Sequence, residues 1–150
     1  MLQDRFEWLR RVKGVEREYT ALLFAIQHIQ AESRHNPGIL PDPALQRDFR
    51  AAAARLQGTF IIRLFAEFET ALREFWTNTR SSTPPSRTRD LLDAVGTRCG
   101  VGDERLNAAH VVREYRNALI HFREDEIEEV GIAAARSRLC QFLSFLPVQW

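Results

Sequence analysis

The residues best suited to chemistry lie in one short stretch, Tyr115-Arg116-Asn117-Ala118-Leu119-Ile120-His121-Phe122. An arginine can grip a phosphate through a charge-assisted fork, and a histidine can take up or release a proton near neutral pH. Those two groups suffice in principle to drive a ribose 2′-hydroxyl onto its own phosphodiester. Arg116 and His121 are the candidate pair, with Asn117 between them. Arg113, His110 and Arg123 flank them as candidate phosphate contacts. Each has a plainer reading. Arg113 can pair with Glu114 on its own helix, His110 can be a structural or rim residue, and Asn117 can bond a neighbouring helix.

An arginine five residues before a histidine is not rare in this chain, since Arg105 and His110 repeat the spacing. What distinguishes the second pair is Asn117 directly after the arginine and its place near the end of a long amphipathic helix. On that helix Val111, Val112, Tyr115, Leu119 and Phe122 share one side, expected to face a core. Glu114, Asn117 and His121 share the other, with His110 on the same stripe. Arg116 sits about 140° around the wheel from His121, so the two do not stack within one helix. Either a long arginine reaches round, or two copies of the helix share a site.

The elements that must position these residues read as helices throughout. Asp4 caps a run to about Ser33 in which Phe6, Leu9, Val12, Tyr19, Leu22, Leu23, Ile26 and Ile29 recur at the helical period. Three prolines and a glycine between residues 34 and 43 make a loop. A second helix runs from Pro43 or Ala44 to Asn78, with Gly58 as a bend or a close helix contact. Its stripe of Phe60, Phe65, Phe68, Phe75 and Trp76 reads as core, any excess serving a dimer face. After a Ser/Thr/Pro loop, a short helix over Arg87–Val95 should stop at Gly96. Asp103 caps the motif helix to about Phe122. A final helix is expected after Asp125, carrying Ile127, Val130, Ile132, Leu139, Phe142, Leu143 and Leu146 until Pro147. The acidic run Glu124-Asp125-Glu126 with Glu128-Glu129 reads as its solvated start, and is awkward beside a polyanion. Trp150 is expected to be loosely packed or part of a dimer face. Residues 1–150 are thus read as one all-α domain, an up-down bundle of four long helices plus one short helix.

Bulk properties narrow the function classes. With 21 basic and 20 acidic residues the net charge is +1, so any nucleic-acid binding must come from a local patch. Lys13 is the only lysine; arginine suits bidentate phosphate contacts, although a genomic base bias gives the same excess. Cys99 and Cys140 show no metal-ligand spacing and are expected to be reduced thiols. No span approaches the roughly 20 apolar residues of a membrane helix, and the N-terminus lacks a signal-peptide core, which gives a cytoplasmic expectation. There is no glycine-rich phosphate loop and no nucleophile motif.

The motif Arg116-Asn117-Ala118-Leu119-Ile120-His121, late in a helical chain, resembles that of the HEPN superfamily (higher eukaryotes and prokaryotes nucleotide-binding domains). The run from Phe60 to Glu69 is similar to the second helix of that group. The resemblance implies a HEPN-like helical bundle and a metal-independent endoribonuclease without cofactor, toxin- or defence-related, with a composite site at a homodimer interface. Arg116 would polarise the phosphate, His121 would transfer protons, and Asn117 would steady either. RNA, a second copy and a cognate antitoxin or operon partner are the implied partners. In the branch paired with nucleotidyltransferase antitoxins a tyrosine follows the histidine by two positions; here that residue is Arg123, which puts such modification in doubt. The alternative is a non-catalytic helical interaction module that dimerises or binds a partner protein or nucleotide. A weaker third reading is a helical regulator with a small ligand in the bundle.

Overall fold

The computed structural model describes residues 4–121 and 126–150. Among them are five α-helices and no strand, apart from one isolated antiparallel bridge between Asp4 and Gln149. Helix α1 (Arg5–His35) starts where the Asp4 carboxylate accepts the Phe6 amide at 2.8 Å. Its end is marked by Asn36, whose side chain accepts the Gly38 amide in a short 3₁₀ turn over Pro37–Ile39. Helix α2 (Pro43–Arg80) repeats the device: Asp42 accepts the Ala44 amide and Pro43 takes the first position, where no amide is needed. It closes at Ser81 in the left-handed region, φ 50°.

Helices α1 and α2 pack as an antiparallel hairpin. Arg63 pairs with Glu18, Arg11 with Glu67 and Tyr19 with Phe60, so residue numbers rise on one helix as they fall on the other. The hairpin has two unlike halves. Near the chain ends, Trp8, Val12 and Val15 of α1 and Phe60 to Phe75 of α2 enter the core. From residue 16 to residue 59 no side chain is fully buried. That half is an arm whose seam residues, such as Leu23, Ile26 and Phe49, are only partly buried.

The body is completed by α3 (Thr88–Cys99), α4 (Asp103–His121) and α5 (Ile132–Leu143). One hydrophobic cluster joins all five helices. Phe68 sits at its centre, tilted against Phe65 at 5.5 Å and edge-on to Phe142 at 5.4 Å between ring centroids. Each fully buried side chain of this size contributes about 1.5–3 kcal/mol by leaving water. No helix among the described residues is long and apolar enough to cross a membrane.

Three sequence expectations are corrected here. Helix α3 does not stop at Gly96 but runs to Cys99 and ends at Gly100, φ 68°. Gly96 is buried inside the helix instead, where a Cβ would come within 3.2 Å of the Leu106 side chain. The final helix starts at Ile132, so Ile127 and Val130 lie on an irregular segment before it and Glu128 and Glu129 are not a helix start. Gly131 takes the N-cap, and Gln57 Oε1 accepts the Ile132 amide at 3.1 Å. Helix α5 is therefore as short as α3, at 12 residues each. Finally, Trp150 is 6% exposed and packs edge-on against Phe75 at 5.5 Å. The Arg5 amide bonds Val148 and its side chain bonds Ser144 and Leu146, which fastens the chain end over α1.

Candidate functional site

Helix α4 presents its residues much as the period requires. Val112 is buried, while Val111, Tyr115 and Leu119 pack partly against the core. Glu114 and His121 are exposed, and Asn117 is half-buried. Phe122 lies outside the described residues. Gly58 lets α4 close on α2: a Cβ there would lie 3.2 Å from Leu119. The C-terminal end of α4, with His121 as its last residue, therefore reaches α2 where the arm leaves the body.

Arg116 faces α2 rather than solvent. Its guanidinium lies over the Phe65 ring at 4.6 Å and bonds Glu69 Oε2 at 3.1 Å, with the side chain 18% exposed. Burial pulls this guanidinium below its ordinary range; Glu69 opposes that and Arg113 adds to it. Glu69 is a hub. Its Oε1 accepts from Arg73 at 2.6 Å and from the Thr88 hydroxyl at 3.0 Å. Arg73 in turn bonds the Pro85 and Ser86 carbonyls, which fixes the loop before α3. The hub therefore holds Arg116 in one orientation through α2, α3 and the loop between them.

Beside it runs a second chain of polar contacts. His110 Nε2 bonds Asp93 Oδ1 at 2.7 Å, and Arg113 Nε donates to His110 Nδ1 at 3.2 Å. That arrangement puts the His110 proton on Nε2, because Nδ1 acts as an acceptor. Arg113 also pairs with Glu114 at 2.5 Å, the plainer of the two roles read for it. Arg123 lies outside the described residues.

The structure brings Arg113 to His110 and Arg116 to Glu69, and it leaves His121 exposed at the helix end. Among the described residues no side-chain hydrogen bond or ion pair joins Arg116 to Asn117 or His121. One chain thus supplies a fixed cation and a separate imidazole on different flanks of α4. Between α4, α2 and the segment before α5 lies a groove of about 600 Å³, with Tyr115 and Leu119 on one wall and Gln57 and Thr59 on the other. Burial raises the Tyr115 phenol above its ordinary range, with Glu129 adding to the effect. No group of three or more potential metal-ligating side chains is present among the described residues.

Glu69 and Asp93 received no role from sequence, and Phe65 received only that of a core residue. One clue existed: Glu69 follows Phe65 by four positions and precedes Leu72 by three, so an acid borders the most apolar stripe of the chain. An acid there needs a cation from another element. The chain matches no protein-family model, no curated protein and no solved structure at a significant level.

Proposed function

We propose that this chain is a metal-independent endoribonuclease of HEPN type, toxin- or defence-related, whose active site is completed by a second copy. One observation carries the reading. Arg116 is held by Glu69 and Phe65 while His121 is exposed at the same helix end, on another flank. A fixed guanidinium loses little entropy on gripping a phosphate, and an exposed imidazole can meet a scissile bond supplied from outside. Two α4 ends facing each other supply both groups to one phosphodiester. One histidine takes the 2′-hydroxyl proton as the 2′-oxygen attacks phosphorus. The 5′-oxygen leaves with a proton from an acid, giving a 2′,3′-cyclic phosphate and a 5′-hydroxyl. Arg116 stabilises charge on the non-bridging oxygens, and Asn117 steadies the imidazole or a phosphate oxygen.

The test is cleavage of labelled RNA in EDTA. Both His121→Ala and Arg116→Ala should lower the rate by at least about a hundredfold, with helical content kept for the first. Mixing the two dead variants should restore part of the activity, because the shared site of a mixed dimer then holds one intact arginine and one intact histidine. Absence of cutting by the parent protein, or cutting untouched by His121→Ala, removes the reading.

A second reading has its own observation. Glu69 and Phe65 already satisfy Arg116, as a structural strut between α2 and α4 requires. An interaction module of this fold would keep partner binding in His121→Ala and cut nothing.

A further inference from the structure

At the far end of the arm, between the last turn of α1 and the first turns of α2, lies a cavity of about 500 Å³. Its charge is one-sided. Arg34 and Arg50 both line it, and no carboxylate does among the described residues. Among those residues neither arginine is in an ion pair, whereas Arg47, on the same turns of α2, pairs with Asp48. Arg50 uses Nε on the Gln46 carbonyl at 3.3 Å, which leaves its two terminal nitrogens for another acceptor. Gln30 and Ser33 add neutral polar groups to the rim. Gln46 lines it as well, its amide donating to the Leu40 carbonyl at 2.6 Å, and the apolar part of the wall is Phe49 with Leu40 and Pro37.

Two such guanidinium groups beside an aromatic side chain suit a phosphate attached to a planar ring. We infer that this cavity binds a nucleotide, the phosphate on Arg34 and Arg50 and the base against Phe49. The inference rests on the ribonuclease reading only for its source, an RNA strand rather than a free nucleotide. Arg50 lies about 12 Å along α2 from Gly58, at roughly 1.5 Å per residue. The arm therefore carries the cavity a few nucleotides away from the end of α4, and a single strand held at the tip passes the base of the arm.

Binding is measured in a His121→Ala background, so that cleavage does not intrude. A labelled single-stranded oligoribonucleotide of about 12 nucleotides and adenosine 5′-monophosphate serve as separate probes, in EDTA. Arg34→Gln with Arg50→Gln should weaken binding at least tenfold. It should also flatten the salt dependence of RNA affinity by about 0.7 in the log–log slope, for the one phosphate that is no longer neutralised. Phe49→Leu should weaken binding a few-fold and leave that slope unchanged. Monophosphate binding that the double variant loses assigns the cavity to free nucleotide, and oligonucleotide binding that the double variant weakens assigns it to RNA; both support the inference. It is overturned if the parent binds neither probe, or if the double variant binds as tightly and with the same slope. A protein that binds through the tip yet never cuts RNA keeps this inference and loses the ribonuclease reading.

Discussion

The two halves of helix α2 differ sharply in what they bury. From Phe60 to Phe75 it supplies eight buried side chains, Phe65 and Phe68 among them. From Pro43 to Thr59 it supplies none, and neither does the part of α1 that lies against it. Both halves are unbroken helix. The body half is held by burial, whereas the arm half stands on caps, helix propensity and a half-covered seam. The arm is thus the part of the molecule that can be rewritten at its surface without cost to the core, and it is where Arg34 and Arg50 are found.

The contrast is broken most forcefully by truncating matching aromatics. Phe68→Ala should cost about 3–5 kcal/mol in a urea titration, through reduced burial and the cavity left behind. Phe24→Ala, at a residue 73% exposed on the arm, should cost under about 0.5 kcal/mol. Similar losses at the two sites would mean that the arm is covered in solution.

Next in size is Glu69→Gln. It strips the anion from Arg73 and Arg116 together and should cost about 2 kcal/mol, less than a fully buried pair because solvent reaches both partners. No loss would show the hub to be surface decoration. At the boundary between the halves, Gly58→Ala trades about 1 kcal/mol of helix propensity against a small shift of Leu119. The expected outcome is a gain of about 0.5 kcal/mol. A loss above about 1 kcal/mol would mean that the seam between α2 and α4 cannot yield.

The smallest effect is an alkaline one. Burial raises the thiols of Cys99 and Cys140 above their ordinary range, and for Cys140 Lys13 and Arg136 oppose it less strongly. Unfolded chains then lose these protons first, so stability falls as pH rises through about 8.5 and beyond. The urea midpoint should drop between pH 8 and pH 9.5. Cys140→Ser should flatten that drop, and an unchanged slope would count against the burial argument.

The helical frame was legible where punctuation is strong. Asp4 caps α1 and Pro43 opens α2, each through a local backbone need that the sequence states outright. The segment before α5 was not. Ile127, Val130 and Ile132 mimic a helical stripe, yet the helix begins only where Gly131 and Gln57 satisfy its first amides. Gly96 misled because a glycine chosen for close packing looks like one chosen for a turn. For the site, the sequence showed that Arg116 and His121 lie on different flanks of one helix. It did not show that Glu69 captures Arg116, since that contact joins residues 47 apart and no periodicity encodes it.

The bridge between Asp4 and Gln149 has an engineering consequence. Those two backbone segments already lie side by side, so a short glycine linker could join Trp150 to Asp4 and keep the Trp150 ring in place. Opening the turn between Asn36 and Asp42 would then yield a circular permutant whose new ends hang from the outer tip. Its melting should track the parent's, since every rearranged bond lies away from Phe68 and its neighbours.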